Sequence, residues 1–129
     1  MSNSEVPVRT VAETRQQTLD LLVEWVVTLG MGHWNIRHNF NERKDIANAE
    51  ASPKYHEALI KFNTKEMRRL PKWEFEETII HELVHCLLWE LSGDYKKKTA
   101  REMVDEQTTT QIARALMRAK YDLVNPKEE

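Results

Sequence analysis

The chain has one cysteine, Cys86, among its 129 residues. A single thiol forms no internal disulfide, which excludes a disulfide-stapled secreted scaffold and fits a reducing compartment. An excess of charge of one sign is also missing. Nineteen Lys and Arg stand against 21 Asp and Glu, for a net charge of −2. That leaves no electrostatic footprint for nucleic acid or an anionic membrane. No long hydrophobic run exists either: the longest apolar cluster, Leu19 to Leu29, is broken by Asp20 and Glu24 and is too short to span a bilayer. The opening MSNSEVPVRT lacks a positively charged start followed by an apolar stretch, so no secretory signal is read there. Internal repeats and low-complexity segments are absent. These absences predict one monomeric, cytoplasmic domain over residues 1–129, loose at 1–9 and 125–129, with no nucleic-acid or membrane partner.

What is present centres on Ile79-Ile80-His81-Glu82-Leu83-Val84-His85-Cys86-Leu87-Leu88, which contains HELVH, an instance of HExxH. Residues i and i+4 of a helix share a face one turn apart, so His81 and His85 can offer two imidazole nitrogens to one ion. Glu82 sits one step round the helix, within reach of an attacking water without ligating the metal. Zinc suits such donors, with nitrogen distances of roughly 2.0–2.1 Å and an open position in catalytic sites. The flanks Ile80, Leu83, Val84, Leu87, Leu88 and Leu91 are apolar at helical spacing, which predicts a buried helix. Two histidines and a glutamate are costly to bury there without partners, so a metal site explains them better than a pair of packed histidines. Cys86 points about 100° away from His85 and reads as a small core residue.

The remaining elements follow from local signals. Thr10-Val-Ala-Glu13 is a capping box that opens a helix with Leu19, Leu22, Val23 and Val26 on its apolar face, stopped at Gly30. Alternation predicts strands at His33–Phe40, near Ile46–Ala51, and at Tyr55–Asn63, the last with His56, Ala58, Ile60 and Phe62 on one face. A short helical turn runs from Asn63-Thr64 to Leu70. The HELVH helix spans Lys72 to Leu91 and ends at Ser92-Gly93. A second capping box, Thr99 to Glu102, starts a final helix that runs to about Val124. The predicted class is α+β: a small single-domain zincin-like fold. In it a short mixed or antiparallel sheet packs on the N-terminal helix, the HExxH helix and a C-terminal helix.

A catalytic zinc needs a third protein ligand. A histidine six positions after His85 would be residue 91, which is leucine. Asp94 binds only if its loop folds back. The final helix offers Glu102, Asp105 and Glu106. Glu102 is the third residue of the capping box and is occupied in capping. Glu106 lies one turn deeper, beside Thr109, Thr110, Ala113 and Met117, where a carboxylate is unusual unless paired. Glu106 is therefore the expected ligand and Glu102 the reserve. Thr110 is placed to hydrogen-bond a ligating histidine.

These residues resemble the gluzincin zinc metallopeptidases, whose third ligand is a glutamate on a later helix. They are closest to minimal forms such as small phage and prophage metallopeptidases and the ImmA/IrrE-type proteins. The likeness covers about residues 34 to 118, through HELVH and the run Glu106-Gln-Thr-Thr-Thr-Gln-Ile112-Ala113-Arg-Ala-Leu116. It departs from larger members at Thr110, where they have Asp or Asn. The resemblance implies one zinc per chain and a protein or peptide substrate added as a strand at the edge of Tyr55–Asn63. The expected activity is peptide-bond hydrolysis, with zinc on His81, His85 and Glu106 and with Glu82 as general base. His56, Tyr95 and Tyr121 are candidates for stabilising the oxyanion. The alternative reading is a zinc-containing regulatory or binding module that contacts another protein. A third reading is a metal-free structural protein.

Overall fold

The computed structural model describes residues 8–42, 45–89 and 100–121, without the side chains of 100–103. Among these residues the fold is a small α+β structure of four α-helices and one three-stranded mixed sheet. The expected stop at Ser92-Gly93, the capping box at Thr99–Glu102 and the tail after Tyr121 lie outside the described residues.

Helix α1, Val11–Thr28, begins with the capping box read from the sequence: the Glu13 N–H donates to Thr10 Oγ1 at 3.0 Å and the Thr10 N–H to Glu13 Oε1 at 2.9 Å. It ends in a Schellman turn. Gly30 takes φ 74°, a conformation open to glycine without penalty, and Met31 N–H reaches back to Val26 O at 2.8 Å. The inward face differs from the predicted one. Thr14, Thr18, Leu22 and Trp25 are buried, while Val23 is 64% exposed. The two threonines are tolerated inside because each hydroxyl donates to the carbonyl four residues back, at 2.7 Å.

Strand β1 is Asn35–Asn41, β2 Ala47–Ser52 and β3 Glu57–Asn63, with a 3₁₀ turn at Pro53–Tyr55. Their spatial order is β1-β3-β2, with β1 parallel and β2 antiparallel to β3. Ala58, Ile60 and Phe62 face the core as predicted, each such burial contributing ~1.5–3 kcal/mol for a large side chain. His56 does not join them. It precedes β3 in a left-handed conformation, φ 54° and ψ 48°, with its ring against those of His33 and Trp34.

The predicted peptide-binding edge at 55–63 also needs correction. β3 is the central strand, so both of its edges are already paired. Among the described residues the free edges belong to β1 and β2. Asn63 N–H donates to Ile46 O at 2.8 Å, and the register pairs Asn48 with Lys61 and Glu50 with Leu59. Alternate residues of an antiparallel strand bond on opposite sides. Ala47, Ala49 and Ala51 therefore turn their N–H and C=O groups to the open edge of β2.

Helix α2, Thr64–Met67, is capped by Asn63, whose side chain accepts from Glu66 N–H at 3.1 Å. Pro71 precedes α3, Lys72–Leu87, which ends with Leu88 as its C-cap, four residues before the expected end at Leu91. Arg9 holds the start of α1 to this junction. Its guanidinium lies 4.0 Å from the Phe75 ring centroid and donates to the carbonyl of Leu70 at 2.8 Å. Helix α4, Ala100–Tyr121, packs on α3.

Candidate metal centre

The α3 sequence turns its apolar residues Ile79, Ile80, Leu83 and Val84 into the core. That fixes the rotation of the helix and sends His81 and His85 to its border, one turn apart, with side chains 21% and 19% exposed. Their rings are 4.7 Å apart between centroids. Helix α4 is rotated by the burial of Thr109, Ala113 and Met117, which puts Glu106 opposite the histidines. Glu106 Oε1 lies 3.3 Å from His81 Nε2 and Oε2 lies 2.9 Å from His85 Nε2.

The three side chains present donor atoms within 4.8 Å of one another. Donors about 2 Å from a tetrahedral ion stand roughly 3.3 Å apart, so two imidazoles and one carboxylate within 4.8 Å of one another could hold a zinc ion. Burial, then the neighbouring His85, pushes the His81 imidazole below its usual range, partly opposed by Glu106. That direction favours the neutral ring, the form a metal takes.

Glu82 lies on the interior side of the motif and is 7% exposed. Burial raises its carboxyl to about 8, helped by the negative charges of Glu106 and Asp45. Cys86 is buried, and burial followed by Glu82 pushes its thiol up to about 12. It is an inert core residue, as the sequence indicated.

Of the acidic residues at the head of α4, the structure brings Glu106 to the histidines and leaves Asp105 out of the group. The side chain of Glu102, together with Asp94 and Tyr95, lies outside the described residues. Among the described residues no hydrogen bond joins Thr110 to either histidine; it lines an open groove with Glu106, Gln107, Gln111 and Arg114. Tyr121 is turned away from the centre, with its hydroxyl donating to Glu76.

Sequence reasoning missed Glu76, a 3%-exposed carboxylate one turn before the motif. Burial pushes this carboxyl up, but hydrogen bonds from Lys120, Tyr121 and Trp25 outweigh that and hold it below its ordinary value. The only local hint was a glutamate on the inward stripe of an apolar helix, since its partners are far away in the chain.

No helix of the described residues is long and apolar enough to cross a membrane. No curated protein is significantly similar to the chain. The sequence pattern of the SprT-like family matches residues 11–112, from the first residue of α1 to a point in α4 beyond Glu106. That segment holds the HELVH helix, the glutamate opposite it and most of the 129 residues, and the chain therefore belongs to the SprT-like family, whose domains are zinc metallopeptidase-like.

Proposed function

We propose that the protein is a zinc-dependent peptidase in which His81, His85 and Glu106 hold the ion and Glu82 is the general base. The convergence of two Nε2 atoms and a carboxylate within 4.8 Å, beside a buried glutamate, carries this reading. When bound, zinc would supply Lewis acidity, making water more acidic and polarising a carbonyl. The chain supplies the rest. Glu82 accepts the proton of the attacking water and passes it to the leaving nitrogen. Burial of Glu82, which is 7% exposed, keeps bulk water away from that carboxyl.

An extended peptide fits the open edge of β2 better than any other edge near the centre. β2 packs against α3, and its outward backbone groups come from three alanines, whose small side chains leave the approach clear. Strand addition there supplies affinity through main-chain hydrogen bonds with little sequence readout. The narrower likeness to phage and ImmA/IrrE-type enzymes belongs to this same reading and rests on the Glu106–Leu116 run alone.

Elemental analysis of protein purified without a histidine tag should find one zinc per chain. An unfolded protein substrate should be cleaved, with cleavage lost on chelation and restored by zinc. Protein that takes up no zinc sinks the proposal. Stoichiometric zinc without cleavage of any unfolded substrate favours the regulatory module instead.

A further inference from the structure

A second polar cluster lies at the far end of the α3–α4 contact from the metal centre. Glu76 accepts from Trp25 Nε1 of α1 at 2.6 Å, from Lys120 Nζ of α4 at 2.5 Å, and from the Tyr121 hydroxyl. Lys120 Nζ also pairs with Glu24 at 2.8 Å. The next residue, Glu77, accepts from Trp73 Nε1 at 3.1 Å and from Arg114 Nε at 3.2 Å. Early residues of α3 thus meet late residues of α4, and the helices run antiparallel. Lys120 and Glu106 are separated by about 21 Å of continuous helix.

We propose that Glu76 is a positioning residue for the metal centre: by pinning Lys120 and Tyr121 it fixes the axial register of α4 and so holds the Glu106 carboxylate between His81 and His85. This rests on Glu106 being a ligand. A slide of α4 by one residue moves every side chain along it by about 1.5 Å, whereas a metal site tolerates about 0.2 Å. Ala113 and Met117 give an apolar contact without directional bonds. The Arg114–Glu77 pair has an arginine side chain 63% exposed, and exposed pairs resist little. Glu76 is different: its side chain is only 4% exposed, and it gathers a buried bond from Trp25 and part-buried ones from Lys120 and Tyr121, on two other helices. Charge-assisted bonds of this kind are short and strong. Lys120 and Tyr121 lie beyond residue 112, outside the segment that matches the family.

The test is a double-mutant cycle on zinc affinity, read by competition with a chromophoric chelator, and on the absorption spectrum of the cobalt-loaded protein. Glu76→Gln removes the charge but keeps the shape and an acceptor for Trp25. In the presence of Glu106 it should raise the zinc Kd ~10–100-fold, the range for losing an outer partner of a ligand. It should also shift the cobalt spectrum toward that of Glu106→Ala. In the Glu106→Ala background it should change neither. Lys120→Met with Tyr121→Phe, acting from the α4 side, should reproduce the pattern and decides the matter if circular dichroism shows Glu76→Gln unfolded. Equal loss of affinity in both backgrounds would make Glu76 a stability residue only and overturn the proposal, as would no loss in either. If Glu106→Ala itself leaves zinc binding intact, there is no ligand to position, and the assignment of Glu106 as a ligand falls first.

Discussion

Zinc uptake should expel a proton from Glu82, and the amount follows from its surroundings. The side chain is 7% exposed, and burial, then Glu106 and Asp45, put its carboxyl at about 8. At pH 7 roughly nine molecules in ten then carry the proton, and at pH 9 about one in ten. A dication among His81, His85 and Glu106 reverses the sign of the local field and favours the ionised carboxylate. Zinc binding at pH 7 should therefore release ~0.9 proton from this group, falling to ~0.1 at pH 9. Titration calorimetry in two buffers of different ionisation enthalpy measures the total. The Glu82→Gln variant removes this contribution and leaves any other, so the difference between the proteins isolates it. Equal proton release by wild type and variant at pH 7 would refute the reasoning.

Other consequences follow from the same geometry. Glu106→Ala should weaken zinc binding by more than ~10²-fold, beyond what loss of an outer partner costs. Glu102→Ala should cost about 1 kcal/mol of helix cap and leave zinc affinity nearly unchanged; a reversal would move the ligand one turn toward the start of α4. In zinc-free protein the folded Glu82 carboxyl stands above its ordinary 4.5, so its contribution to stability is intact below about pH 4.5 and is lost as pH rises through about 8. Denaturant unfolding should therefore show Glu82→Gln gaining on wild type across that window, toward an upper bound on the order of 5 kcal/mol. No gain would mean the carboxyl is not buried as described. Ala49→Pro removes an N–H that faces the open edge of β2, so it should raise KM for peptides while leaving the melting temperature close to wild type. Asn48→Pro removes a ladder bond to β3 and should destabilise the fold instead. Unchanged KM for Ala49→Pro would place the substrate elsewhere.

The candidate metal site was legible because its grammar is local. HELVH puts two histidines on one helical face by spacing alone, and the preference for Glu106 over Glu102 came from capping chemistry within four residues. Capping at Thr10, the stop at Gly30, and the breaks at Pro53 and Pro71 were likewise local. Errors arose where a distant partner decides. The inward face of α1 was drawn through Val23 because hydropathy does not register that Thr14 and Thr18 satisfy their hydroxyls on their own helix, nor that Trp25 has a carboxylate waiting 51 residues on. β3 looked like an edge because alternation reveals faces, not neighbours; the order β1-β3-β2 is a property of chain return. His56 fitted the alternation of β3, yet the turn at Pro53–Tyr55 ends on it in a left-handed conformation. Glu76 was invisible for the same reason, with its partners 44, 45 and 51 residues away.

The central claim is that this zinc centre cleaves peptide bonds with Glu82 as its base. The most direct measurement compares wild type and Glu82→Gln, each shown to contain one zinc per chain, on the same unstructured protein substrate. Glu82→Gln keeps the size and hydrogen-bonding capacity of the side chain and removes its basicity. The account predicts equal zinc content and a rate lower by at least the ~10²-fold typical of a lost general base. Equal rates from the two zinc-loaded proteins would contradict it.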